Sequence, residues 1–119
     1  MNRTTLTRVA LVVAVVFAVT MALLPKPPHM PIDQYGDKFG HMLAFATMAL
    51  LAALSFPTAR LFRIGERLSF LGAMIEVLQS IPSLHRDCDI HDWIADTLAI
   101  TVVLLLVWVA RRGRGARLN

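Results

Sequence analysis

Near the end of the chain, seventeen residues from Trp93 to Val109 are apolar except for one aspartate and two threonines. A second run of sixteen residues, from Val9 to Leu24, is interrupted only by a threonine. About 20 consecutive apolar residues cross the hydrocarbon core of a bilayer as a helix, so both runs predict membrane-spanning helices. The composition, with 56% hydrophobic and 17% charged residues, also differs from that of an average soluble domain.

Two shorter segments complete the prediction of an all-α, four-helix membrane bundle that forms a single domain, residues 1–119. Residues 42–56 carry no charge, and residues 68–81 carry only Glu76. Each segment gains a turn or more from its flanking residues, so that the predicted spans are 8–24, 40–56, 64–81 and 92–110. Pro25 and Pro57 are expected to end the first two spans, because proline lacks an amide donor.

The basic residues predict how the four spans are oriented. Nine of the twelve lie before span one, between spans two and three, or after span four; the other three are Lys26, Lys38 and Arg86. Since Lys and Arg near span ends tend to stay in the cytoplasm, both termini are predicted to be cytoplasmic. We therefore expect a multi-pass protein of the bacterial cytoplasmic membrane. Its net charge of +4 is explained by topology and anionic lipid head groups, without a nucleic-acid partner.

Acidic residues are concentrated directly before the last apolar run. The eleven residues from Arg86 to Asp96 hold four of the six aspartates of the chain. Asp92 suits a helix N-cap, but Asp96 lies one turn inside the apolar run, and Glu76 lies roughly 7 Å inside the end of its own run. Ionised side chains at such depth are costly and usually face a polar interior. We therefore expect both carboxyl groups to belong to a site.

Under the four-span topology, the outer ends of spans two, three and four lie together. The pattern D-K-x-x-H from Asp37 places three polar side chains on one side of span two, while Glu76 and Gln79 follow one stripe of span three. The predicted ligand-binding residues are Asp37, Lys38, His41, Glu76, Gln79, Arg86, Asp92 and Asp96.

Two chemistries fit these residues. In the first, Arg86, Lys38 and His41 bind phosphate, and the carboxylates hold these cations in place or bind an amine. In the second, the candidate catalytic acids and bases are His41, Glu76 and Asp92, and the same three side chains with Asp96 are the candidate ligands of a divalent cation for hydrolysis or group transfer. Because H-E-x-x-H, G-x-S-x-G, C-x-x-C and P-loop patterns are absent from the sequence, we favour recognition without catalysis and without a required cofactor.

These motifs, in this order, resemble the VanZ-like family of small bacterial membrane proteins, named after a member associated with teicoplanin resistance. The resemblance covers most of the chain and rests on D-K-x-x-H at Asp37, E-x-x-Q at Glu76, Arg86, and the series Asp92, Asp96 and Ala99. It implies a helical membrane protein linked, in some members, to glycopeptide resistance and the cell envelope. Family members often have Asn in place of Asp96 and Gly in place of Ala99, so this chain adds a charge there and packs slightly less closely. The expected partner is an anionic envelope lipid or a lipid-linked precursor.

Two other functions remain open. A proton-coupled small multidrug transporter has about this length, four helices and a membrane-embedded glutamate. In such transporters the glutamate lies in the first helix, but the first apolar run of this chain carries no charge. A structural subunit of a larger envelope complex would instead use the polar residues as a network between helices.

Overall fold

Four helices account for nearly all of the chain that the computed structural model describes, which is residues 2–23, 37–81 and 90–118. They are α1 (Arg3–Leu23), α2 (Asp37–Ser55), α3 (Leu61–Gln79) and α4 (Ile90–Leu118). These ranges contain no strand, which confirms the all-α, four-helix prediction. Each predicted span overlaps one helix. The helices α1, α2 and α3 begin three to five residues before the predicted spans, and α4 continues to Leu118 rather than ending at residue 110.

Local sequence explains where several of these helices begin and end. The Asn2 Oδ1 atom accepts a hydrogen bond of 2.8 Å from the amide of Thr5, which is a typical N-terminal cap. α2 ends at Ser55, two residues before Pro57. The tail of α4 is rich in arginine, and cations favour the negative end of the helix dipole, so the helix continues past its apolar run.

The helices pack around α2, which contacts each of the other three. Its buried side chains recur every three or four residues and include several alanines, which let neighbouring backbones approach closely. The hydrophobic core consists of Ala22, Phe45, Met48, Ala49, Ala52, Ala53, Ile64, Leu68, Ile75, Ile100 and Leu104. α1 contributes only Ala22 to this fully buried set, so it lies at the edge of the bundle.

Two arginines fix the arrangement at one end of the bundle. Arg8 Nε of α1 donates to the Ser55 carbonyl at 3.1 Å, and Arg111 Nη2 of α4 donates to the Ala53 carbonyl at 2.9 Å. The start of α1 and the end of α4 therefore lie together at the C-terminal end of α2, where positive charge is favourable. We call this the basic end, and the opposite end, which holds the end of α3 and the start of α4, the acidic end.

Two of the four helices, α1 and α4, are long and apolar enough to cross a membrane by length and composition. α2 has a shorter apolar stretch, Phe39–Ser55, and the first half of α3 carries Arg63, Glu66 and Arg67. Only 6% of the apolar stretch of α1 and 17% of that of α4 are buried inside the molecule. The apolar residues of both helices therefore mostly face outward.

Candidate functional site

The acidic end brings together polar side chains that are distant in the sequence. Glu76 and Gln79 in the last turns of α3 and Asp96 near the start of α4 are all buried, at 7%, 2% and 2% exposure. Gln79 Nε2 donates a hydrogen bond of 2.9 Å to the carbonyl of Ala22 in the last turn of α1. This bond joins the ends of α1 and α3, as the alternating topology predicts.

An aromatic layer lies directly beneath these polar groups. A Cβ atom built at Gly72 of α3 would lie 3.4 Å from Trp93 of α4 and 3.5 Å from Phe45 of α2, so three helices meet at this glycine. The indole Nε1 of Trp93 donates to the Ser69 carbonyl at 2.9 Å. Because Phe45, Gly72 and Trp93 pack closely together, this layer separates the site from the rest of the bundle core.

The position of this layer along α2 and α3 also shows where His41 lies. Phe45 lies one helical turn after His41, and Gly72 lies one turn before Glu76. Since α2 and α3 run in opposite directions, His41 and Glu76 each lie one turn beyond the contact of Phe45 with Gly72, toward the acidic end. His41 is half-buried there, so the described part of α2 supplies a titratable side chain to the same end as Glu76.

The seam between α3 and α4 continues below the aromatic layer. The hydroxyl oxygens of Ser69 and Thr97 are 2.9 Å apart and share a hydrogen bond. This pair and the Trp93 bond to Ser69 hold the two helices in a fixed register. Sequence patterns do not single out the pair of Ser69 and Thr97, since each residue also fits a small packing position, and Trp93 stands out only as the first residue of an apolar run.

The carboxyl groups at the acidic end interact electrostatically. The charges of Asp92 and Glu76 both act on Asp96, which is itself buried. We call Glu76, Asp92 and Asp96 the acidic cluster. Like charges brought together away from water raise the energy of the folded chain, so an acidic cluster of this kind suits a site that receives cationic or hydrogen-bond-donating groups.

Two buried oxygen atoms at the acidic end lack a donor among the described residues. They are Gln79 Oε1 and Asp96 Oδ1. Buried polar atoms in proteins are almost always hydrogen-bonded, and these two atoms, an amide oxygen and a carboxyl oxygen, are acceptors. The site can therefore accept at least two further hydrogen bonds, from a water molecule, a side chain or a ligand.

Several predicted site residues lie outside what the structure describes. α2 begins at Asp37, as the spacing predicts, but the side chains of Asp37 and Lys38 are outside the described set, and so is all of Arg86. Within the described ranges, His41, Glu76, Gln79, Asp92 and Asp96 all lie at the acidic end. No group of three or more His, Cys, Asp or Glu side chains that could hold a metal ion occurs among the described residues.

The two aspartates of α4, which lie one helical turn apart, differ in burial. Asp92, Ala99 and Val103 are only half-buried, and the buried line runs through Asp96, Ile100 and Leu104. A Cβ atom built at Gly65 of α3 would lie 3.1 Å from Leu104 Cδ1, so the face of α4 that carries Leu104 is turned toward α3. Asp96 is thus more central than Asp92.

Comparison with protein-family models, with curated proteins and with solved structures finds no match.

Proposed function

We propose that this chain is a VanZ-like, four-span protein of the bacterial cytoplasmic membrane whose acidic end binds the anionic head group of an envelope lipid or lipid-linked precursor. The link of some VanZ-like proteins to glycopeptide resistance is part of the same proposal. The observation that carries it is the burial of Glu76, Gln79 and Asp96 at one end of the bundle, with two acceptor atoms that lack a donor among the described residues.

The outer surface supports the membrane part of the proposal. Large apolar side chains are exposed along both α1 and α4, among them Val13 at 62% and Leu106 at 65%. Soluble monomers rarely expose contiguous apolar patches larger than a few hundred Å². Lipid is a solvent in which such faces are stable, and the 21 residues of α1 span about 31 Å, which is close to the thickness of the hydrocarbon core, about 30 Å.

The head-group part of the proposal assigns different roles to the charges. Arg86 and Lys38 attract phosphate, with Arg able to form a bidentate contact, and the carboxylates of Glu76 and Asp92 hold these two cations in place. Gln79 Oε1 and Asp96 Oδ1 remain to accept hydrogen bonds from hydroxyl or amine groups of the same head group. A head group that contains a phosphate and neighbouring hydroxyl groups would satisfy both the two cations and the two acceptor atoms.

Native mass spectrometry of the purified chain tests this proposal. Arg86→Ala should remove one equivalent of co-purified phospholipid or polyprenyl phosphate per chain, because a charge-assisted contact is about twice as strong as a neutral one. The matched control is Arg112→Ala at the basic end, where the guanidinium carbon lies 4.7 Å from the centroid of Trp108; it should leave the bound lipid in place. Equal loss from both variants would mean general electrostatic attraction and would overturn the proposal.

Proton-coupled transport is the second candidate, because Glu76 and Asp96 are buried within electrostatic reach of one another. Two such carboxyl groups can exchange a proton with a cationic substrate. Substrate-driven proton uptake in vesicles, lost in Glu76→Gln, would favour this function over lipid recognition.

Turnover of a bound lipid by the wild type, lost in His41→Ala, would instead favour the hydrolase or transferase alternative.

A further inference from the structure

A groove of about 660 Å³ opens at the basic end between α1 and α3, at the opposite end of the bundle from the acidic cluster. α1 packs mainly against α2 and touches α3 much less, which leaves space between α1 and the first half of α3. The apolar residues that line the groove are Leu11, Val15, Ala52, Phe56, Ala59, Ile64 and Leu68.

Three arginines line the same groove. Arg60, Arg63 and Arg67 follow each other at spacings of three and four, so they form one stripe beside the apolar stripe of Ile64 and Leu68. All three side chains are exposed. None of the described residues that line the groove is acidic, and the nearby Glu66 lines a different groove, between α3 and α4. The groove therefore combines an apolar wall with a positive rim.

Two further features increase the positive potential at this rim. Arg60 precedes the first turn of α3 without a side-chain capping hydrogen bond, and that turn contains no acidic residue, so the positive end of the helix dipole is not neutralised by a side chain. The guanidinium carbon of Arg8 lies 4.9 Å from the ring centroid of Phe56, which itself lines the groove. Arg8 thus brings a fourth positive charge close to the rim.

We infer that this groove binds one anionic phospholipid from the leaflet at the basic end, with its phosphate against Arg60, Arg63 and Arg67 and one acyl chain along Val15, Ile64 and Leu68. The inference rests on the proposed membrane insertion but not on the head-group site at the acidic end. From Arg60 to Leu68 the wall extends about 12 Å along α3, and the volume falls within the range of ligand pockets, about 300–1,000 Å³. Free phosphate would contact only the arginines, whereas a lipid would also contact the apolar wall. The wall therefore favours a lipid as the ligand.

Native mass spectrometry with added lipid measures the contribution of the arginines. The full chain in detergent is titrated with phosphatidylglycerol and, separately, with phosphatidylcholine. Replacing Arg60, Arg63 and Arg67 together by Gln should weaken binding of phosphatidylglycerol at least about tenfold and should not change the weaker binding of phosphatidylcholine. The matched control replaces Arg3, Arg112 and Arg114 by Gln, which removes three charges from the same end without touching the groove, and should change binding by less than about twofold. Equal weakening in both triple variants would overturn the inference.

A second pair of variants tests the acyl chain. Val15→Trp fills the groove and leaves every arginine in place, so it should weaken binding of phosphatidylglycerol; Val13→Trp, at a position that is 62% exposed, should not. Glycerol phosphate, which has no acyl chain, should fail to displace the lipid at equal concentration. Unchanged binding in Val15→Trp, or displacement by glycerol phosphate, would show that the arginines bind the head group without the groove.

The outcome is distinguishable from that of the head-group proposal. In Arg86→Ala, phosphatidylglycerol should still bind at the groove, and in the Arg60, Arg63 and Arg67 variant the lipid held at the acidic end should remain. If the chain is recovered in the membrane fraction and the groove variants behave as their controls do, only the groove inference fails. If the chain is recovered in the soluble fraction, both fail.

Discussion

Asp96 is the residue in which the demands of folding and of binding differ most. It is 2% exposed, one of its oxygens lacks a hydrogen-bond donor among the described residues, and the charges of Asp92 and Glu76 act on it. A buried carboxylate in such surroundings raises the free energy of the folded state. A ligand or a cationic side chain that donates a hydrogen bond to this carboxylate would offset that cost.

Asp96→Asn should therefore stabilise the ligand-free protein. The substitution keeps the shape of the side chain, removes the repulsion from Asp92 and Glu76, and adds an amide donor. We expect a gain of roughly 1 kcal/mol, or about 4 °C in the thermal unfolding midpoint for a chain of this size, measured in detergent by circular dichroism.

The matched control for this substitution is Glu66→Gln, which removes a carboxylate from an exposed position of α3. It should change stability by no more than about 0.5 kcal/mol. A lower midpoint for Asp96→Asn would mean that the carboxylate is paired with a cation in the folded protein, and the unpaired acceptor would then not be a binding feature.

At the scale of the helices, α3 determines how the site is built. Its face toward the bundle interior changes along its length, from Ile64 and Leu68 through Gly72 to Glu76 and Gln79. Gly72 lies where the apolar part gives way to the polar part, against Phe45 and Trp93. The absence of a side chain at Gly72 lets the aromatic layer form beneath the polar groups.

Gly72→Leu should consequently destabilise the bundle by about 1–3 kcal/mol, because the added atoms have no space between Phe45 and Trp93. Gly72→Ala adds only a Cβ at ordinary contact distance, and its better helix propensity offsets the crowding to within about 1 kcal/mol. Thermal unfolding in detergent separates the two variants.

Gly113→Leu is the control for added volume, since a Cβ at Gly113 meets nothing within 4 Å. It should not lower the free energy of unfolding, and the better helix propensity of leucine can raise that free energy by up to about 1 kcal/mol. Similar midpoints for Gly72→Leu and Gly113→Leu would show that three helices do not meet at Gly72 as described.

The sequence predicts the elements of this fold better than it predicts their contacts. Apolar runs locate all four helices, and Glu76 and Gln79, which follow one stripe of α3, are both buried. The apolar run alone does not show that α4 continues to Leu118, because the last turns of this helix are polar and are favoured by charge at the helix end.

Contacts between helices depend on how far each helix is rotated, which the sequence does not fix. Arg8 and Arg111 were predicted only as markers of orientation, but each donates to a carbonyl at the end of α2. Likewise, Asp92 and Asp96 lie one turn apart in the sequence, but the rotation of α4 buries Asp96 and leaves Asp92 half-exposed. The seam through Ser69 and Thr97 could not be predicted for the same reason.

For the whole molecule, the two ends differ in charge. Arg8, Arg60, Arg63 and Arg111 belong to the basic end, while Glu76, Asp92 and Asp96 belong to the acidic end. The hydrogen bonds from Arg8 and Arg111 to α2 place the start of α1 and the end of α4 at the same end. If the chain spans a membrane, both termini must therefore be on one side, and the acidic cluster must be near the other.

Cysteine labelling in intact cells decides which side this is. In a Cys88→Ser background, cysteines placed at Gln34 and Pro82 should react with a membrane-impermeant reagent, and a cysteine at Gly113 should not. The physical reason is that Lys and Arg near span ends are retained in the cytoplasm, and the basic end is the end that carries the C-terminal arginines. Permeabilised cells supply the control, since all three cysteines should then react. Labelling at Gly113 alone in intact cells would reverse the orientation: the acidic cluster would face the cytoplasm, where it could not meet a head group of the outer leaflet, and the groove lined by Arg60, Arg63 and Arg67 would face the outer leaflet instead.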